Sequence, residues 1–173
     1  QEVPNTVLFS TARTAQREEM FKWVGPMAEK KYYFFAKKGS KIIINSIEDA
    51  REYEIGVHRG SNNESYLRSK GFKSLHPVNI EKQNLMKIQF GRIDLWYVDS
   101  AVSHTLMNLY PMEGAVEEKY FVQNIKLYYA FNKNTSDSIV NNWQQALNAI
   151  RQEGTMLQIF KNHALEALYP IEY

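Results

Sequence analysis

Residues 55–64 read Ile-Gly-Val-His-Arg-Gly-Ser-Asn-Asn-Glu, an apolar strand followed by a glycine turn and a helix start. Ser61 and Glu64 have the spacing of a capping box, in which a hydroxyl and a carboxylate three residues later satisfy the first backbone amides of a helix. The remaining amides at such a start are unpaired and point outward. Because Gly60 allows a close backbone approach, the turn predicts a site for a carboxylate or phosphate. An ordinary capped helix without a ligand explains the same residues.

Apolar, strand-like stretches alternate with helical periodicity on both sides of this turn. The alternation indicates an α/β protein with parallel strands covered by helices. In such sheets ligands bind beyond the carboxyl ends of strands, close to helix N-termini. This rule selects three junctions, at residues 11–17, 58–63 and 98–100. At the first of them we expect a short helix over residues 14–20 with Thr14 as its N-cap.

Charged residues at the first and third junctions complement the predicted anion site. Arg17 lies at the first junction, where a planar guanidinium can clamp a carboxylate with two hydrogen bonds, although most single arginines are solvated. Asp99 ends the strand at the third junction and either holds a ligand ammonium or caps the next helix. An anion-binding helix start, an arginine and an aspartate together predict a site for a zwitterion such as an α-amino acid.

The composition of the chain excludes several kinds of site and argues against several kinds of partner. The chain has 173 residues, the length of one domain or two small lobes, and no cysteine. The missing cysteine excludes a disulfide scaffold, a cysteine-ligated metal site and a cysteine nucleophile. A formal net charge of +2 is too close to neutral to indicate nucleic acid or a membrane surface as the partner. We expect neither a metal nor a cofactor.

A series of motifs, in order along the chain, resembles the family 3 bacterial extracellular solute-binding proteins, which are the amino-acid receptors of ABC importers. Each motif is weak alone, but the ordered set extends over nearly the whole chain. The motifs are TAQREEMFKWVGP at 14–26, SIEDA at 46–50, IGVHRGS at 55–61, FGRIDL at 90–95 followed by Asp99, YAFNK at 129–133 and GTM at 154–156.

The resemblance implies an α/β fold of the two-lobed, type II periplasmic binding protein class. Residues 31–124 would form a complete second lobe, and residues 1–30 and 125–173 would form part of the first lobe. The chain begins after a strand-helix-strand stretch that family members carry, so roughly 60 to 70 residues of the first lobe would be absent. The open sheet edges of a partial lobe would favour self-association of the chain.

The resemblance also implies a role for each charged or polar group at the three junctions. Arg17 would bind the ligand α-carboxylate from one lobe. Ser61 and the Asn62 amide would bind the same carboxylate from the other lobe. Asp99 would take the α-ammonium, with the Ala12 backbone nearby.

Three further positions concern the ligand side chain or the edge of the pocket. His58 lies where family members contact that side chain, which would favour a polar or acidic ligand; the alternative is a histidine with local hydrogen bonds only. Phe9 either lines the pocket or, as an apolar strand residue, belongs to the core. Arg13 is a further ligand candidate, with a solvated surface position as its alternative.

Three functional hypotheses follow. The leading one is a periplasmic or other extracytoplasmic receptor, not an enzyme, that closes around a polar amino acid or related small carboxylate and presents it to an ABC permease in the membrane. The second is the ligand-sensing domain of a membrane signalling protein. The third is an enzyme on the same fold, such as a dehydratase or transglycosylase relative, which needs a positioned acid or base. The nearby candidates His58, Glu64 and Asp99 show neither paired-carboxylate nor triad spacing.

Overall fold

A computed structural model describes residues 6–111 and 116–170. Within them, no helix is long and apolar enough to cross a membrane. The strands are β1 (Val7–Ala12), β2 (Phe21–Lys37), β3 (Ile55–His58), β4 (Leu75–Val78), β5 (Leu95–Asp99) and β6 (Val116–Asn132). The helices are α1 (Asn62–Ser69), α2 (Lys82–Gln89), α3 (Ser100–Leu109), α4 (Asp137–Gln152) and α5 (Thr155–Asn162), and single 3-10 turns occur at Glu18–Met20, Glu48–Glu52 and Glu166–Leu168.

The chain divides into two compact units. Unit 1 comprises residues 1–30 and 124–173, and unit 2 comprises residues 31–123. The two longest strands, β2 and β6, have 17 residues each and run from one unit into the other. The chain therefore passes between the units twice, within β2 and within β6.

The sheet of unit 2 is mixed: the predicted parallel strands are present, and one antiparallel strand joins them. β3 lies parallel to both β4 and β5, whereas β2 lies antiparallel to β5. Parallel neighbours need long crossover connections, usually through a helix. Here α1 joins β3 to β4 and α2 joins β4 to β5. β2 instead enters unit 2 directly as the continuation of a unit 1 strand, and it runs in the opposite direction.

Both faces of the unit 2 sheet are covered by large apolar side chains. On one face Phe35 and Trp96 pack with Leu85 of α2. On the other face Phe34 and Tyr97 lie with ring centroids 5.3 Å apart, and all five residues of β5 are buried. Because successive side chains of a strand point to opposite faces, a continuous apolar run indicates a strand covered on both sides. This packing fixes the carboxyl end of β5, where the candidate site lies.

Unit 1 pairs β1 with β6 in an antiparallel ladder that is interrupted between Leu8 and Thr11. At the interruption Ser10 has a φ of 56°, in the left-handed region. Such a bulge locally changes which side chains face the core. Phe9 is 72% exposed beside it, so the core assignment of Phe9 is wrong. The core of unit 1 is formed by Val24, Phe131, Leu147 and Met156, with α4 and α5 supplying the last two.

The predicted helix over residues 14–20 is also wrong. The segment forms turns and a single 3-10 turn at Glu18–Met20, and the Thr14 carbonyl accepts the Arg17 amide at 2.9 Å. The Arg13 side chain forms an ion pair with the Glu18 carboxylate across the segment. Residues 13–20 connect β1 to β2, which are separated in the sheet by β6. The Arg13–Glu18 ion pair closes this short connection in place of helical hydrogen bonds.

Candidate functional site

The carboxyl ends of β3 and β5 form one edge of the unit 2 sheet. These two strands are parallel neighbours, with Ile55 paired to Leu95 and Gly56 paired to Trp96. Helix α1 begins four residues after the end of β3, and helix α3 begins directly after β5. The structure therefore places the predicted residues His58, Ser61, Asn62 and Asp99 at the same edge, where helix N-termini and strand ends meet.

The serine cap predicted at the start of α1 is confirmed, and the Glu64 carboxylate contacts the amide one residue before the position that a standard capping box uses. Ser61 Oγ accepts a hydrogen bond from the Glu64 amide at 3.2 Å and donates one to the His58 carbonyl at 2.7 Å. The Glu64 carboxylate in turn accepts from the Gly60 amide at 2.8 Å. The amides of Asn62 and Asn63 donate to no acceptor among the described residues. Two outward-pointing donors are thus left at this helix start for an anion.

The Glu64 carboxylate is fully engaged in holding this turn. The hydrogen bond from the Gly60 amide lowers the pKa of Glu64, and the Arg68 guanidinium, 2.7 Å from Glu64 Oε1, lowers it further. Both contacts favour the charged form of the carboxylate. Glu64 is therefore an anchor of the loop, because a general acid or base needs a carboxylate that exchanges its proton with a substrate.

Asp99 combines burial with a helix cap. It is 4% exposed, and its Oδ1 accepts a hydrogen bond from the Val102 amide at 3.1 Å. The capping interpretation of Asp99 is confirmed by this contact. The second interpretation, in which the carboxylate also holds a ligand ammonium, stays a prediction.

Glu81 joins this edge of the sheet, although the sequence reasoning did not select it. Its Oε2 accepts hydrogen bonds from the Trp96 indole at 2.8 Å and from the Asn84 side-chain amide at 3.0 Å. Its Oε1 lies 3.9 Å from His58 Nδ1. Two fixed donors on one oxygen orient the carboxylate and leave the other oxygen toward the His58 ring. The signal was available, since Glu81 follows the end of β4 and precedes α2.

Tyr32 is a second residue at this edge that the sequence analysis did not select. It lies opposite Asp99 in the ladder between β2 and β5. Burial raises the pKa of Tyr32, and the nearby carboxylates of Asp99 and Glu81 raise it further. The phenol is therefore neutral and able to donate a hydrogen bond at this edge.

In unit 1 the predicted residues lie on β1 and on the turn that follows it. Ala12 ends β1, and Arg17 Nη1 donates to the Ala12 carbonyl at 3.4 Å. Arg17 is half-buried and forms no ion pair with any carboxylate among the described residues. Its charge is therefore uncompensated within unit 1. Phe9 lies earlier on the same strand with its ring exposed.

Arg13, the alternative arginine, is engaged within unit 1. Its guanidinium donates to both carboxylate oxygens of Glu18 and lies over the rings of Trp23 and Tyr128, at 5.8 and 5.6 Å from their centroids. The hydrogen bond from Arg13 lowers the pKa of Glu18. Of the two arginines, Arg17 is therefore the one whose guanidinium is left for an external carboxylate.

The described residues offer groups for binding both signs of charge but no centre for a metal. The unit 2 edge presents amide and hydroxyl donors at α1 together with the carboxylates of Asp99 and Glu81, and unit 1 presents Arg17. Among residues 6–111 and 116–170, no group of three or more His, Asp or Glu side chains could hold a metal ion. The arrangement in unit 2 suits a small molecule that carries an anionic and a cationic group.

No family model matches the chain. Its structure is similar to that of a histidine kinase sensor domain with similarity to periplasmic binding proteins (TM-score 0.75, 16% identity, 94% of this chain and 70% of that one). It is also similar to the GluR0 ligand-binding core from Nostoc punctiforme in complex with L-glutamate (TM-score 0.69, 19% identity, 88% and 69%). A third similar structure is the substrate binding protein of an amino acid ABC transporter (TM-score 0.65, 18% identity, 90% and 69%).

These similarities define the fold class. The chain has a mixed α/β fold that matches the periplasmic binding protein-like fold. It spans 69 to 70% of the length of the three structures described above. Identities of 16 to 19% establish the fold and leave the ligand and the biological role as separate questions.

Proposed function

We propose that the protein is a non-enzymatic receptor for a polar α-amino acid or a related small carboxylate. The observation that carries the proposal is the half-buried Arg17 guanidinium, which has no carboxylate partner among the described residues. A charged group taken partly out of water is costly without a partner, so an external carboxylate would stabilise it. The unpaired amides of Asn62 and Asn63 and the buried Asp99 carboxylate provide the complementary groups in unit 2.

Each polar group has a role in this proposal. Arg17 binds the α-carboxylate from unit 1, and the Ser61 hydroxyl and Asn62 amide bind it from unit 2. Asp99 binds the α-ammonium, assisted by the Ala12 carbonyl. Because each unit supplies only part of the ligand's contacts, ligand binding favours a closed state of the two units.

His58, Glu81 and Phe9 select the ligand side chain in this proposal. The Glu81 carboxylate oxygen 3.9 Å from His58 Nδ1 makes this region negative or, when the ring is protonated, neutral. It therefore favours a neutral polar or cationic side chain over an acidic one. This replaces the acidic side chain that the position of His58 alone had suggested. The exposed Phe9 ring offers an apolar surface for the methylene groups of that side chain.

The biological role that we favour is delivery of the amino acid to an ABC permease in an extracytoplasmic compartment. The similarity to the substrate binding protein of an amino acid ABC transporter supports this role. A sensor domain of a membrane signalling protein is the second candidate, supported by the similarity to a histidine kinase sensor domain. The two differ in what responds to the ligand: a separate permease whose ATPase activity rises, or a kinase in the same polypeptide.

A thermal-shift screen of the full-length protein against the twenty amino acids and a panel of small carboxylates tests the proposal. A ligand present at 100 times its Kd stabilises the folded protein by about 2.7 kcal/mol, which gives a clear shift of the melting temperature. We expect the largest shift with a polar or cationic amino acid. No shift with any α-amino acid, or turnover of the ligand in the same samples, would contradict the proposal.

A further inference from the structure

Unit 2 contains a cavity of about 550 Å³ that is lined by residues of α2, the end of β4 and the turns beside them. None of the residues that we assign to the amino acid lines it. The volume lies within the range of roughly 300 to 1,000 Å³ that is typical of small-molecule sites. The cavity is therefore large enough for a second ligand.

The charged side chains that line this cavity are all cationic. Arg59, Lys82, Lys87 and Arg92 line it, and no Asp or Glu does. None of these four side chains forms an ion pair with any carboxylate in the part of the chain that the structure describes. Elsewhere in unit 2, Arg68 lies 2.7 Å from a glutamate oxygen. In a chain with a formal net charge of only +2, four cations around one cavity, none of them in an ion pair, repel each other and attract an anion.

Two of the cations are held in place by contacts that do not neutralise them. Arg59 Nε donates to Asn79 Oδ1 at 3.0 Å, and Arg59 Nη2 donates to the Pro77 carbonyl at 3.1 Å. The Lys82 ammonium lies 3.8 Å from the centroid of the Tyr110 ring. Side chains that are already oriented lose less conformational entropy when a ligand binds.

The remaining lining is largely apolar. Met86 and Pro77 contribute to the wall, and Phe90 has 66% of its surface exposed. The Arg92 guanidinium lies 5.9 Å from the Phe90 ring centroid, so an apolar surface adjoins a cation directly. An exposed aromatic side chain next to a positive charge matches a molecule with an apolar body and an anionic group.

We propose that this cavity binds an amphipathic anion, that is, a carboxylate, sulfonate or phosphate attached to an aromatic or aliphatic body. The anion contacts Lys87 and Arg92, and the body packs on Phe90 and Met86. The site is independent of the proposed amino-acid site, since it uses different residues of unit 2. The same chemistry occurs in a soluble metabolite and in the headgroup region of an anionic lipid.

The test is a fluorescence titration of the full-length protein with anilinonaphthalene sulfonate, an aromatic sulfonate. The double variant Lys87→Gln, Arg92→Gln is expected to bind the dye about tenfold or more weakly than wild type, because two charge-assisted contacts are lost. Phe90→Ala is expected to weaken binding of the dye and to leave binding of inorganic phosphate unchanged. Lys73→Gln is the matched control, since Lys73 is exposed in unit 2 and does not line the cavity.

Sedimentation with lipid vesicles distinguishes an anionic lipid from a soluble anion as the ligand of this cavity. Binding to phosphatidylglycerol vesicles but not to phosphatidylcholine vesicles, lost in the Lys87 and Arg92 double variant, identifies the source as a lipid. Dye binding without vesicle binding identifies it as a soluble anion. Circular dichroism verifies that the variants are folded. Dye affinity in the double variant equal to that of the Lys73→Gln control would overturn the proposal.

Discussion

Tyr32 and Asp99 are direct cross-strand neighbours, paired across the antiparallel ladder between β2 and β5. Directly paired residues lie on the same face of a sheet within contact distance of one another. The pairing places a buried phenol beside the carboxylate that we assign to the ligand ammonium, and this carboxylate helps to raise the pKa of Tyr32. The strand that continues from unit 1 thus contributes directly to the candidate site of unit 2.

Arg17→Ala is expected to weaken binding of the best amino acid in the thermal-shift screen by at least about tenfold. Loss of one partner from a buried charge-assisted contact typically costs about 2 to 5 kcal/mol of binding. Arg17→Lys keeps the charge without the planar fork and is expected to give an intermediate affinity. Calorimetric titration measures the dissociation constant of the amino acid for both variants. Wild-type affinity in Arg17→Ala would remove Arg17 from the site.

Glu81→Gln is expected to reduce the preference for arginine over glutamine by roughly tenfold, because a charge-assisted contact becomes a neutral one. The matched control is Glu54→Gln, which removes the same charge from an exposed position of unit 2 paired with His76. The measurement is the ratio of the two dissociation constants in each variant. An equal change of this ratio in both variants would show that Glu81 acts only through net charge.

The loop before α1 is expected to make stability pH-dependent through Glu64. Its pKa in the folded protein is lowered by the Gly60 amide, so its stabilisation is present above its ordinary value of 4.5 and is lost as the pH falls through the lowered value. Urea unfolding between about pH 6 and pH 3 gives the free energy of unfolding of both proteins. Glu64→Gln should be less stable than wild type, and the difference should be largest at the upper end of this range. A difference that stays constant with pH would contradict this assignment.

Gly56→Ala is expected to destabilise unit 2 by about 1 to 3 kcal/mol, the usual cost of overpacking a core. A Cβ at this position would lie 2.5 Å from Asn84 Oδ1 and 2.6 Å from Ile93 Cδ1. Denaturant unfolding measures the loss. In the double variant with Asn84→Ala the two losses should be less than additive, because one of the two clashing side chains has been removed. Fully additive losses of stability would show that a clash with Asn84 does not cause the destabilisation.

Exposed β1 is expected to promote self-association of the chain. β1 is the terminal strand in the order of the described sheet, and Leu8 on it is 54% exposed. Edge strands with exposed apolar side chains pair readily with other copies. Light scattering should show a mass that rises with concentration and that Leu8→Lys reduces toward that of a monomer. A monodisperse monomer of the unchanged chain at all concentrations would contradict this expectation.

Local pattern predicted the parts of the site that depend on neighbouring residues in the chain. The cap of α1 requires only a hydroxyl and a carboxylate three residues apart. The Ser61 contact is present, and Glu64 accepts from the Gly60 amide instead of the Ser61 amide. The helix cap at Asp99 is equally local. Residues 14–20 were assigned wrongly because their local pattern does not show that they form a short connection between β1 and β2, which lie on either side of β6 in the sheet.

The sequence alone determined the α/β class, the strand and helix that flank the Ser61 turn, and the charged groups at the junctions, because period and capping are properties of adjacent residues. Only the tertiary structure decided which arginine is free to bind a ligand: Arg13 is neutralised by Glu18, whereas Arg17 has no such partner among the described residues. It also decided that Glu81 faces His58. These relationships depend on which strands pair and which side chains meet across them, and such long-range contacts leave no periodic pattern in the chain.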